Sequence, residues 1–288
     1  MAFDSNNAIR LLTMISLGGL LFTVGLRLTW RDVLVSLRGC NLGRILPLNF
    51  ILAPVVTLAL ARLFQVSTDI AIAMLLLAAA PFAPVVPIFT KMAKGDLALA
   101  GGLTAIFPFF CSVLTPLVSL FGLTFLVKAT ALKFSVLTIL LVLGSTITLP
   151  LAAGIAFRHR LPKLGQKLLK PLEIISEAAG AISLAFVTVV EFQAILSTGW
   201  KPLLAMAFAS EFLFWTGYAA GGPATGSRRV IAFGTGNRNI ALALLVALES
   251  FPGSPIVAAV VANGLLLIFL GLLHVAFWNY SSSKTNRA

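Results

Sequence analysis

A chain of 288 residues that is 59% hydrophobic and 10% charged, with a mean hydropathy of +1.03, has too little polar surface to close over a soluble core, which places it in a bilayer. A net charge of +12 would suggest nucleic acid for a soluble protein, but in a membrane chain the sidedness of the cations is the first question, and no nucleic-acid partner is expected. The connections between apolar runs are short, which leaves no room for a soluble domain.

Nine apolar runs of about twenty residues, the length that crosses roughly 30 Å of hydrocarbon, are predicted to be helical spans. The first covers Ala8 to Leu28; its apolar run is too long for a signal peptide and no small-residue cleavage site precedes Arg27. Arg44 to Phe64 follows, then Ile70 to Met92, which carries prolines at a spacing of three, Pro81, Pro84 and Pro87. Leu97 to Leu120, Phe134 to Phe157 and Ile174 to Leu196 are unbroken, the last with Glu191 near its end. Pro202 to Gly222 has Glu211 near its middle; Val230 to Leu248 contains Gly234, Thr235, Gly236 and Arg238; Pro255 to Phe277 closes the set. A basic loop from Arg158 to Lys170 is expected between the fifth and sixth spans.

Two of these spans cannot face lipid. Proline removes a backbone donor and glycine-rich backbone unwinds, leaving polar groups that hydrocarbon cannot satisfy, so both interruptions must face protein or water. They are five spans apart, an odd displacement, so the second copy of the unit enters the membrane from the opposite side: an inverted repeat, with a first repeat over about 8–126 and a second over about 134–279. The first lacks an opening helix. Fifteen of the twenty-one cations fall on one side, five on the other, and Arg238 sits inside a span, which by the positive-inside rule puts the amino terminus out and the carboxyl terminus in. Anionic lipid is the alternative use of the basic side.

The second interruption favours an anionic ligand, because the half-helix after Gly236 points its positive end at the break. Asn237 and Asn239 either add donors there or cap that half-helix. For Gly234 and Gly236 close packing competes with unwinding, and for the prolines a mere kink is the alternative.

The residues Ala80-Pro81, Phe89-Thr90, Ala93-Lys94-Gly95-Asp96, Leu103-Thr104-Ala105 and Leu114-Thr115-Pro116, with the opening Val24-Gly25-Leu26, the Trp30-Arg31-Asp32 loop and the stretch from Gly234 to Leu242, resemble the bile acid:sodium symporter family. The resemblance implies an all-α membrane fold in which a core holds two crossed, broken helices, a panel stands beside it, and substrate binds between them. It also implies sodium sites built from Ser-Asn at the first break and Glu-Thr-Gly-x-Gln-Asn at the second. Here Val86 and Pro87 stand where Ser-Asn is expected, Gly234 where the carboxylate is expected and Arg238 where the Gln is expected, while Thr235, Gly236, Asn239, Thr90 and Thr104 match. A guanidinium repels a sodium ion by several kcal/mol, as an order of magnitude, in a partly dry cavity, so coupling by proton instead of sodium is an open expectation.

A charge at mid-bilayer costs roughly 2.5–3.5 kcal/mol on insertion scales, so Arg238, Glu211 and Glu191 are expected to meet partners. One reading has Arg238 alternate between an acid, Glu211 first and Glu191 second, and a substrate carboxylate; the other is a static pair that fixes helix packing. The predicted function is a secondary active transporter of a small organic anion, working by alternating access; a channel or ligand-binding sensor is the alternative. Gly234-Thr235-Gly236 lacks the lysine and strand context of a phosphate loop, and no nucleophile elbow is present, so neither a cofactor nor an enzyme activity is expected. His159 and His274 lack ligand-spaced partners for a metal, and Cys40 and Cys111 are read as free thiols. Trp30, Trp200 and Trp278 are expected as interfacial anchors, and Trp215 as packing or cavity lining. Compact loops favour a bacterial inner membrane.

Overall fold

Backbone in hydrocarbon must satisfy its own hydrogen bonds, and the computed structural model, which describes residues 5–28, 41–127 and 134–285, is helical in every regular element among those residues. In chain order the helices are α1 (Ser5–Arg27), α2 (Leu42–Leu63), α3 (Thr68–Ala78), α4 (Val86–Met92), α5 (Leu97–Leu123), α6 (Val136–Arg160), α7 (Pro162–Val190), α8 (Phe192–Leu196), α9 (Trp200–Ala220), α10 (Thr225–Gly236), α11 (Ile240–Ser250) and α12 (Pro255–Thr285). Eight segments are long and apolar enough to cross a membrane, with α10 and α11 counted as one, and the shorter apolar α3 is the first part of the predicted third span. The protein is an integral, multi-pass membrane protein. The Trp30-Arg31-Asp32 loop, Cys40, Lys128 and Lys133 lie outside the described residues.

Prolines shape α2 and α6 without ending them. Each contains a single π-helical turn, Leu48–Leu52 directly after Pro47 and Gly144–Thr148 just before Pro150, where the wider turn accommodates the lost donor. The predicted basic loop is a correction: α6 runs to Arg160 and α7 begins at Pro162, leaving Leu161 alone between them. Pro162 starts a helix well, because the donor it lacks would be orphaned there in any case, and Lys163, Lys167 and Lys170, at i, i+4 and i+7, then share one exposed face of its first turns.

The helices form two groups. In one, α1 packs against α6 and α7. A Cβ at Gly154 would lie 2.2 Å from the Phe22 carbonyl oxygen and one at Gly25 2.4 Å from that of Leu151, so glycine is what lets these backbones touch. Thr13 bonds Ser183 at 2.8 Å, and Ser16 donates to the Ser176 carbonyl at 2.9 Å, fixing α1 on α7. The other group contains α2 to α5 and α9 to α12, with α3 and α11 buried almost throughout. Trp278 corrects the expectation of an interfacial anchor. It is buried among Phe214, Phe233 and Tyr218, with the Arg229 guanidinium 5.3 Å above its ring, whereas Trp200 is exposed.

Candidate functional site

The chain leaves helix after Ala78 and resumes it at Val86, and it leaves again after Gly236 and resumes at Ile240. Pro81 and Pro84 lie within the first gap, and Pro87 instead sits in the first turn of α4, where its missing donor does no harm. The two gaps meet. Phe82 donates its N–H to the Gly234 carbonyl at 3.0 Å, and Asn239 donates its N–H to the Ala80 carbonyl at 2.7 Å, so each interruption satisfies backbone that the other leaves open.

Gly234 does not unwind its helix. It is the third residue from the end of α10, and a Cβ there would overlap the Phe82 ring at 2.1 Å. The break falls at Asn237 to Asn239, because α10 can extend until the chain must turn aside for the crossing. Gly236 ends α10 against Phe214, 2.9 Å from a would-be Cβ. Phe82 itself has φ +55°, a left-handed conformation rare for an aromatic residue, and its ring is stacked on Phe107 at 3.9 Å.

The carbonyls at the end of α3 form the negative pole of the crossing. Each has a donor from this chain: Arg238 Nη1 on Ala78 at 3.2 Å, the Thr115 hydroxyl on Ala79 at 2.6 Å, the Asn239 N–H on Ala80, and the Cys111 thiol on Pro81 at 3.6 Å. Arg238 Nη1 also donates to Asn49 Oδ1 at 3.2 Å. Asn49, in the π turn of α2, donates in turn to Thr235 Oγ1 at 3.3 Å and to the Ile45 carbonyl at 2.9 Å.

Arg238 is 4% exposed, yet its Nε and Nη2 have no partner. It lines a small cavity of about 20 Å³, room for roughly one water, together with Thr57, Ser210, Gly236 and Asn263. No acidic side chain among the described residues pairs with it. The structure therefore does not bring Arg238 together with Glu211 or Glu191. Glu211 turns away from the crossing, accepting from Trp215 Nε1 and bonding His274 Nε2, each at 3.1 Å, and Glu191 sits half-buried at the turn between α7 and α8. Ser210 and Glu211 are neighbours in sequence, but successive helical residues point about 100° apart, and Ser210 takes the cavity side.

Of the other expected site residues, Thr235 and Asn239 join the crossing, and Asn239 caps α11 by accepting from the Leu242 N–H at 3.0 Å. The Asn237 side-chain nitrogen is buried without a partner beside Gly271 of α12. Thr90 lies in the last turn of α4 with its methyl against Gly95, and Thr104 lies on α5; both hydroxyls are buried without hydrogen-bond partners among the described residues, so neither bonds Arg238. Lys94-Gly95-Asp96 has a local role. Lys94 takes a left-handed φ of +55° to end α4, Gly95 donates to the Thr90 carbonyl, and Asp96 caps α5. Asn49 and Asn263 join the site without any motif in the sequence to mark them. Each is a lone amide in a largely apolar span, and that isolation is the sequence signal they carry.

A family model described as the sodium bile acid symporter family matches residues 14–198, from α1 through α8, and so includes the first gap but not the second. No curated protein matches the chain.

Proposed function

This chain belongs to the sodium bile acid symporter family, and we propose that it is a secondary transporter that carries a small organic carboxylate by alternating access, with Arg238 as the anion-binding group. The proposal rests on one observation: a buried guanidinium with no acidic partner among the described residues and with Nε and Nη2 unbonded on the edge of a cavity. Burying an unpaired charge is expensive, and a carboxylate matches the planar fork of an arginine edge better than a water does. Nη1, held by Ala78 and Asn49, sets the plane of the group, and Asn263 and Ser210 add polar contacts from α12 and α9.

The cavity holds about one water, so a substrate must be admitted by separation of the helices around it, and the present arrangement corresponds to a closed crossing. The two interrupted pairs, α3–α4 and α10–α11, are the elements that an inverted repeat over about 8–126 and 134–279 would relate. Sodium has little to bind at the crossing. The carbonyls from Ala78 to Pro81 each accept from a protein donor, Val86 and Pro87 offer no side-chain oxygen, and the cation present is Arg238.

The test is uptake of a panel of radiolabelled mono- and dicarboxylates into proteoliposomes, with sodium and proton gradients imposed separately. Saturable uptake that ignores sodium and disappears in Arg238→Gln is expected. Uptake that survives in that variant, or that requires sodium in the wild type, refutes the assignment.

A further inference from the structure

We propose that Glu211 is a proton-binding site inside the membrane, presented by Trp215 and His274 and linked through Phe214 to the helix crossing. The inference rests on the transporter reading and identifies the ion that drives it.

Glu211 lies near the middle of α9, and its Oε2 receives two donors, the Trp215 indole one turn onward and His274 on α12. Oε1 receives none. The carboxylate side chain is 36% exposed, so it is open to a proton from outside the bundle. An ionised carboxylate at that depth is tolerated because the two donors hold it, whereas the neutral acid needs no such support. His274 Nδ1 is buried without a partner among the described residues, and Nε2 is the ring nitrogen directed at Glu211. That leaves Glu211 Oε1 as the atom that takes the proton. The step is an addition of H⁺ from water to the carboxylate, giving the carboxylic acid, and release is its reverse.

Packing connects the pair to the crossing from two directions. The His274 ring stacks on Phe214 with centroids 3.6 Å apart, and Phe214 lies directly against Gly236, the last residue of α10 before Asn237 and Arg238. One turn earlier on α12, a Cβ at Gly271 would lie 3.0 Å from the Asn237 amide. Loading or removing the proton changes what His274 must donate to, and Phe214 and Asn237 are the groups that feel its position.

The other charges are elsewhere. Arg228 and Arg229 on α10 reach the ring cluster, stacking over Tyr218 and Trp278 while donating to the Gly222 and Ala93 carbonyls. Arg62 on α2, Asp69 on α3, Lys91 on α4, Glu191 ahead of α8 and Glu249 on α11, which is paired with Arg10, make no ion pair with Glu211 or His274.

The experiment uses the full chain in nanodiscs. Tryptophan emission followed through the carboxylate and histidine titration ranges should show a transition, because the Trp215 indole is bonded to the titrating group, and the transition should vanish in Trp215→Phe and in Glu211→Gln. In proteoliposomes, an inward proton gradient should raise uptake of the labelled carboxylates severalfold, and Glu211→Gln, with unchanged elution and helical content, should remove that stimulation. A wild-type emission profile flat with pH, or one identical in Glu211→Gln, overturns the site whatever the uptake shows. Gradient-stimulated uptake that persists in Glu211→Gln overturns the coupling role. A normal titration with no uptake of any acid overturns the coupling role by removing the transporter reading itself, and so separates the two failures.

Discussion

Phe82 and Gly234 interlock at the crossing. The Phe82 N–H bonds the Gly234 carbonyl at 3.0 Å, and the ring occupies the space where any side chain at 234 would begin. Gly234→Ala therefore has to displace an aromatic ring that is itself stacked on Phe107, and overpacking of this kind typically costs about 1–3 kcal/mol. The melting temperature of Gly234→Ala in detergent should fall, and Phe82→Ala introduced with it should cost less than the sum of the two single changes. Strict additivity would show that the two residues do not touch.

Arg238→Lys separates charge from geometry. Lysine keeps a cation but has no planar fork, and it cannot bond Ala78 and Asn49 while also presenting a bidentate edge to a carboxylate. The expected result is uptake with KM raised at least tenfold and a protein of near-normal stability, between wild type and an inactive Arg238→Gln. Equal kinetics for Lys and Arg would mean that substrate sees only a point charge.

Much of this architecture could be read from the sequence, for physical reasons. A bilayer forces uniform apolar runs, so the spans stand out, and prolines or clustered polar residues inside them mark where the backbone leaves helix. Which side chains meet across helices depends on each helix's rotation about its axis, and that is not written in spacing. Glu211 and Arg238 are both charged and deep, which by sequence pairs them, yet Glu211 faces His274. Gly234 suits a break and a close contact equally by sequence, since glycine unwinds as well as it packs, and the Phe82 ring decides between the two. Asn49, a single amide in an apolar run, carries no motif, although it holds Arg238 and Thr235 together.

Asn49→Asp tests whether the missing counter-charge is functional. Asn49 Oδ1 already accepts from Arg238 at 3.2 Å, so a carboxylate of nearly the same shape would supply the acid that the site lacks. An internal ion pair then competes with the substrate for the guanidinium. The variant should insert and fold, and uptake should fall by tenfold or more through KM. Unchanged uptake would place the anion site away from Arg238.

Two glycines should respond to alanine with opposite signs. Gly154 of α6 meets α1 so closely that a Cβ would sit 2.2 Å from the Phe22 carbonyl oxygen and 3.1 Å from the Gly25 Cα, atoms of a backbone that cannot rotate away. Gly154→Ala must push α1 and α6 apart, loosening the serine and threonine contacts that α1 makes with α7. Gly101 of α5 has nothing within 4 Å of its Cβ position, so alanine there keeps every contact and gains helix propensity, about 0.5–1 kcal/mol. Thermal unfolding of the two variants in one detergent should move Tm down for Gly154→Ala and up slightly for Gly101→Ala. A Gly154→Ala protein as stable as wild type would show that α1 and α6 are not in backbone contact, and the three-helix group would have to be drawn differently.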